Sequence, residues 1–324
     1  MADITIVREP FHGWEDTYRI GNGTVEARVV ADVGPRIVEL RRAGGSSLLY
    51  VRAREAGRRG EPEWRFRGGW RLWVAPERRA TTYALDNEPC TVTRVAADTL
   101  RVDGPPQPSA QIRKSVAITI AADVPRFTIV STVTNVGNAA LTCAPWTLAA
   151  FRPGGRVFLP LDVGAPDAFD ATRAIILWSY ARVGDPRYRI ADALVEIDGA
   201  AIMPGPAPGE DEAGRRSDES KIGVDSTAGW AACLLDGTLA VTHARVEPGP
   251  RVDGGATLEV YSCREFVELE HVGVLRTLAP TETTTFTETW WVFDGVSVPP
   301  AVDDADAVAG ALASYLAEVV AAAR

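Results

Sequence analysis

The chain has 324 residues, of which 46% are apolar and 24% charged, the balance of an ordinary globular protein rather than a disordered or fibrous one. Its formal net charge is −9 with no block of Lys or Arg, which argues against nucleic acid and anionic lipid as partners, because both require concentrated positive charge. The N-terminus has no apolar core of signal-peptide length and no run of about 18 apolar residues occurs, so a cytoplasmic protein with no membrane span is expected.

Period-two alternation begins early and dominates. Val25, Ala27 and Val29 alternate with Thr24, Glu26 and Arg28, which predicts a half-buried strand. Gly21-Asn22-Gly23 before it and Ala43-Gly44-Gly45 after it can supply positive φ for tight reversals. Residues 53–69, rich in Arg and Gly, read as a long loop. Val116, Ile118 and Ile120 alternate with Ser115, Ala117 and Thr119, and Asn135-Val-Gly-Asn138 reads as a turn. Residues 204–220 carry no periodicity and little that could pack, so a second, mobile loop is expected there. Phe286, Glu288, Trp290 and Val292 share one strand face, opposite Thr287, Thr289, Trp291 and Phe293. Short strands joined by such turns predict antiparallel β rather than alternating βαβ units. One helix is expected at about 303–323, with Val308, Leu312, Tyr315, Leu316 and Val319 on one stripe and Asp303 or Asp304 at its cap. With no internal repeat and no linker, the expectation is one all-β domain over 1–324, its sandwich spanning about 3–296.

Four cysteines, Cys90, Cys143, Cys233 and Cys263, lie far apart with no C-x-x-C pair and read as free, buried thiols. There is no phosphate-binding Gly-rich loop, no nucleophile elbow and no H-E-x-x-H, and three histidines (His12, His243, His271) argue against a multi-histidine metal site. No metal or other cofactor is expected. What stands out is a set of aromatic and polar clusters. Trp70, Arg71, Trp73 and Glu77 combine flat apolar faces with donors and acceptors, the pairing that a sugar ring requires. Trp146 and Trp178-Ser-Tyr180 add further plates, and Asp185 with Arg187 offers polar groups or a local ion pair. The most pointed cluster is Glu259-Val-Tyr261 followed by Arg264-Glu-Phe-Val-Glu268-Leu-Glu270-His271. On a strand, Arg264, Phe266, Glu268 and Glu270 face one way, and the two carboxylates stand about 7 Å apart. Repulsion and burial would raise one of them and poise a general base, with Arg264 holding the other ionised.

Read in order, Gly34-Pro-Arg-Ile-Val-Glu-Leu40, Gly68-Gly-Trp-Arg-Leu-Trp-Val-Ala-Pro-Glu77, Ala144-Pro-Trp-Thr147, Leu177-Trp-Ser-Tyr180, Lys221-Ile-Gly223, Glu259-Val-Tyr261 and Glu268-Leu-Glu270 resemble the galactose mutarotase-like proteins over about residues 15–295. The resemblance implies a supersandwich of two antiparallel sheets with one concave face holding a small-molecule carbohydrate. It further implies an aldose 1-epimerase chemistry, in which a glutamate takes the proton of the anomeric hydroxyl and a histidine protonates the ring oxygen. By chain position Glu268 matches that glutamate, with Glu270 second. The strand that carries the histidine in the epimerases reads Ala144-Pro-Trp-Thr147 here, so His243, His271, an arginine or Lys221 would have to act in its place. A noncatalytic sugar-binding protein and a uronate lyase, with Arg71, Arg187 and Lys221 clamping the carboxylate, stand as alternatives on the same fold.

Overall fold

The structure is a computed structural model, and it describes residues 4–165, 167, 169–201, 218–299 and 305–322. The strands in chain order are β1 (Thr5–Arg8), β2 (Thr17–Gly21), β3 (Val25–Val30), β4 (Arg36–Arg42), β5 (Trp70–Ala75), β6 (Thr91–Ala96), β7 (Thr99–Asp103), β8 (Ile112–Ile120), β9 (Arg126–Asn135) and β10 (Leu141–Phe151). They continue with β11 (Arg156–Pro160), β12 (Ile175–Leu177), β13 (Tyr188–Ile190), β14 (Leu194–Asp198), β15 (Ser220–Val224), β16 (Trp230–Leu235), β17 (Thr238–Ala244), β18 (Leu258–Ser262), β19 (Val267–Val272), β20 (Arg276–Leu278) and β21 (Thr283–Phe293), and the helix α1 (Ala305–Ala322) closes the chain. Eleven strands make the first sheet, in the order β1-β2-β3-β4-β5-β10-β19-β18-β15-β12 with β20 beside β10. Ten make the second, in the order β13-β14-β11-β16-β17-β21-β9-β8-β7-β6.

The two sheets bury their facing sides against each other. Trp70, Leu72 and Val74 of β5 and Leu269 of β19 meet Ile118 of β8, Ile129 of β9 and Trp290 of β21 in one apolar core. The opposite face of the second sheet is also apolar: Val241 and Trp291 pack with Val308, Leu312 and Val319, so α1 docks through the stripe its 3.6-residue spacing predicts. The candidate caps Asp303 and Asp304 lie outside the described residues, as does 204–217 of the second predicted loop, while Ser220 already opens β15. The Arg- and Gly-rich stretch is irregular apart from a short helical turn at Ala53–Glu55. It ends on Gly68 and Gly69, both at positive φ, where a Cβ would lie 2.2 Å from the carbonyl oxygens of Tyr50 and Ile37. Only glycine lets the backbone pass that close, and this places the start of β5 beside β4.

Polar groups are sealed between the sheets as well, Glu288 among them. Glu288 of β21 accepts from Trp70 Nε1 at 2.5 Å and from Thr147 Oγ1 at 2.9 Å. Burial pushes its carboxyl up to about 7. A carboxyl raised on folding contributes stability below its unfolded value and loses it as pH climbs through the folded one. Against the ordinary 4.5, the shift implies a loss of about 3 kcal/mol between roughly pH 4.5 and 7. Glu288→Gln keeps the acceptor and has no proton to lose. Its stability relative to wild type should therefore improve by that amount over the window, measured by urea unfolding at several pH values; a pH-independent difference would refute this.

All four cysteines are free and buried. Burial pushes the Cys90 thiol up to about 12 and Cys143 up to about 11, which keeps thiolate scarce at neutral pH. A thiol reagent should titrate four groups in the denatured, unreduced protein and react slowly with the native one. Fewer than four on denaturation would mean a disulfide.

Candidate functional site

The face of the first sheet that points away from the second carries the candidate site. Alternation along each strand decides which side chains reach it. On β5 it presents Arg71 and Trp73 and turns Trp70 inward; on β10 it presents Trp146 and Leu148; on β19, Glu268 and Glu270; on β18, Glu259 and Tyr261; on β15, Lys221. Register then sets the grid: Trp146 lies opposite Trp73, Leu148 opposite both Arg71 and Glu270, Glu259 opposite Glu270, and Tyr261 opposite both Glu268 and Lys221. A cleft of about 340 Å³ forms over this grid, with Trp64, Phe66, Glu77, Tyr83, Trp178 and Tyr180 contributed by the connections around it.

Two ion-pair systems hold the floor. Arg71 spans β10 to reach Glu268, with Nη1–Oε1 at 2.5 Å and Nη2–Oε2 at 3.2 Å, the two-pronged geometry that a guanidinium and a carboxylate favour. The crossing is open because Ala150, opposite Glu268 on β10, offers only a methyl group. The guanidinium also lies 4.2 Å from the Trp73 ring centroid and 5.1 Å from that of Phe66. In the second system Lys221 Nζ stands 2.6 Å from Glu259 Oε2 and 2.8 Å from Glu270 Oε2, between the rings of Trp146 at 4.5 Å and Trp178 at 4.7 Å. Glu270 Oε2 also accepts from Trp146 Nε1 at 2.8 Å.

Three carboxylates share this dry floor with two cations. Burial raises Glu270 well above the usual carboxylate range; Lys221 pulls it down, while Glu259 and Glu268 add to the rise. Burial alone would discharge Lys221, but Glu259 and Glu270 more than offset it and lift the ammonium above the ordinary lysine value. Burial likewise raises Tyr83, Tyr180 and Tyr261, so these phenols act as neutral donors and acceptors. Tyr83 donates to Glu77 at 2.5 Å. Among the described residues no group of three His, Cys, Asp or Glu side chains is arranged to hold a metal ion.

Several residues singled out in the sequence lie elsewhere. Trp70 belongs to the inter-sheet core. Asp185 and Arg187 form a buried two-pronged pair, at 2.9 and 2.6 Å, and Arg187 goes on to the carbonyls of Asp218 and Ser262, so the pair pins the connection after Trp178 to β18. Arg264 is exposed at the turn between β18 and β19, near Asp218, because the strand begins only at Val267; it does not share the face of Glu268. Glu259 sits beneath the cleft, behind Lys221. Neither candidate histidine reaches the cleft. His271 follows Glu270 and so points inward, bonded through Nε2 to Thr242 Oγ1 at 2.7 Å, with burial pushing it down to about 3. His243 lies on the second sheet, next to inward-facing Thr242 and thus on that sheet's far side, and burial lowers it as well. The expectation that one of them replaces the missing histidine is corrected by this parity. In return the cleft gains Trp64, Phe66, Tyr83 and Glu219, which sequence reasoning passed over. Two large aromatics within an otherwise polar Arg-Gly stretch were the available signal for the first two.

No protein-family model matches the sequence, and no curated protein does. Among solved structures the chain is similar to a galactose mutarotase-like protein from Clostridium acetobutylicum, with TM-score 0.52 and 12% identity over 90% of this chain and 99% of that one. It is similar to galactose 1-epimerase from Lactobacillus acidophilus, with TM-score 0.53 and 10% identity over 91% and 100%. A TPR-domain containing protein from Parabacteroides distasonis gives TM-score 0.54 and 13% identity over 89% of this chain, which spans 50% of that one. The two antiparallel sheets and C-terminal helix are a galactose mutarotase-like fold. Among the described residues no helix is long and apolar enough to cross a membrane.

Proposed function

We propose that the cleft binds a carbohydrate and that the protein is an aldose epimerase-like isomerase, with Glu268 as base and Glu270 as acid. One observation carries this reading: two carboxyl groups stand two residues apart on one strand, both line the cleft, and each is held by a different cation. Glu268 lies in the guanidinium fork of Arg71, while burial raises Glu270 well above the usual carboxylate range, as a proton donor needs. A base and an acid placed as a pair are what ring opening requires. Glu268 takes the proton of the anomeric hydroxyl; the C1–O5 bond breaks with its electron pair going to the ring oxygen, which takes the proton of Glu270; an aldehyde forms at C1. Rotation about C1–C2 and the reverse steps return the other anomer with both protons restored. Side chains at i and i+2 stand about 7 Å apart, so a hexose can lie between them against an aromatic wall.

The noncatalytic reading has one feature in its favour, since Arg71 already engages both oxygens of Glu268. The lyase reading is supported less well: Arg71, Arg187 and Lys221 are each committed to a carboxylate of the protein and leave no free clamp for a uronate. Exchange NMR on a panel of free aldoses decides among them. Faster anomer interconversion than in buffer is expected for at least one sugar. Stabilisation of the fold by a sugar without faster exchange would leave binding alone, and neither effect with any sugar would remove the carbohydrate reading.

A further inference from the structure

A second cavity, of about 220 Å³, lies apart from the cleft and is lined from both sheets: by Leu258 and His271 of the first, and by Ala244 and Thr284 of the second. Its charge is opposite to that of the chain as a whole. Arg245, Arg251 and Arg276 line it against one carboxylate, Glu247, in a protein whose net charge is −9. Glu247 is already taken, since Arg276 Nη2 lies 2.6 Å from its Oε2. Arg251 donates only to main-chain carbonyls, to Val272 O at 2.6 Å and Glu247 O at 2.7 Å, and has no carboxylate in ion-pair range among the described residues. A guanidinium has five N–H donors, so most of its hydrogen-bonding capacity is left over. Its burial is partial and outweighs the attraction of Glu247, so the cation is dehydrated without being neutralised. Arg245, exposed at the rim of the cavity, has no ion pair among the described residues. His271 in the wall is a neutral imidazole engaged with Thr242 and adds no charge.

We propose that this pocket is a binding site for a phosphate group, free or as a monoester, held by Arg245 and Arg251. Two guanidinium groups without carboxylate partners match a doubly charged oxyanion in charge, and their planar arrays of donors match it in geometry. The site is independent of the sugar reading, because it shares no residue with the cleft.

The test uses the full chain. Thermal unfolding is followed with inorganic phosphate, glycerol phosphate and succinate, each against chloride at equal ionic strength. Phosphate should raise the melting temperature, and Arg245→Gln should weaken its apparent affinity on the order of tenfold or more, the usual consequence of losing a charged hydrogen bond. Arg245 is exposed and its side chain bonds to none of the described residues, so its variant should fold even where Arg251→Gln does not; Arg251→Lys, which keeps the charge and loses the fork, should be intermediate. The proposal is overturned if phosphate does no more than chloride, if succinate does as much as phosphate, or if the phosphate shift survives Arg245→Gln unchanged, which would place the ion elsewhere, for example on Arg71 and Lys221 of the cleft.

Discussion

Glu270→Gln is expected to slow anomer exchange by about 10²–10⁴-fold, the usual contribution of a positioned proton donor, while leaving sugar affinity within a few-fold. Glutamine keeps the size of the side chain and still accepts from Trp146 and Lys221, so the floor of the cleft should hold its shape. It has no proton to transfer. Glu268→Gln should cost a similar factor through the other half of the reaction, and the double variant little more than either single one, because the two groups act in one event. The pH profile separates this from a structural effect. An acid works only while protonated, so wild-type activity should persist above the ordinary carboxylate range and fall as pH rises through the elevated value of Glu270. In Glu270→Gln the residual rate should lack that alkaline limb. A variant that keeps the wild-type rate, or one that loses rate with an unchanged limb, would mean that Glu270 is not the acid.

The strands were largely readable in the sequence because period-two alternation is a local property. Val25, Ala27 and Val29, and the two faces of β21, fall where the pattern puts them, and so do Glu268 and Glu270 on one side of β19. The same rule already contained two corrections. Residues adjacent on a strand point opposite ways, so Trp70 could not share the face of Arg71, nor His271 that of Glu270. Arg264 shows where the rule stops: alternation was extended through a turn that ends it. Other features are nonlocal. That Arg71 finds Glu268 depends on β10 lying between β5 and β19 and on Ala150 being small, neither of which spacing reveals. Trp64 and Phe66 come from an aperiodic stretch whose path is decided by glycine contacts with Tyr50 and Ile37. Asp185 and Arg187 could have served a ligand or each other, and a two-residue separation fits both.

Lys221→Met should produce the largest loss of stability in the cleft, about 3–5 kcal/mol, the range for removing one partner of a buried ion pair. Methionine fits between Trp146 and Trp178 and retains much of the packing, so the change isolates the charge. What remains is Glu259, fully buried, facing Glu270 across the strand pair with no ammonium between them. A domain of ordinary stability has about 5–15 kcal/mol in hand, so the variant should fold but unfold at markedly lower urea concentration. Protonation offers the carboxylates an escape, which makes the penalty smaller at pH 5 than at pH 8. Removing the stranded charge offers another: Lys221→Met with Glu259→Gln should be more stable than Lys221→Met alone, although Glu259→Gln by itself should not stabilise the wild type. This reversal of sign is the coupling that a double-mutant cycle measures. A cost of Lys221→Met below about 0.5 kcal/mol, the ordinary scale of a surface substitution, would mean that the lysine does not compensate the buried Glu259. Simple additivity in the double variant would carry the same meaning. A cost of the expected size that is independent of pH would assign the loss to packing around Trp146 and Trp178 instead of to charge.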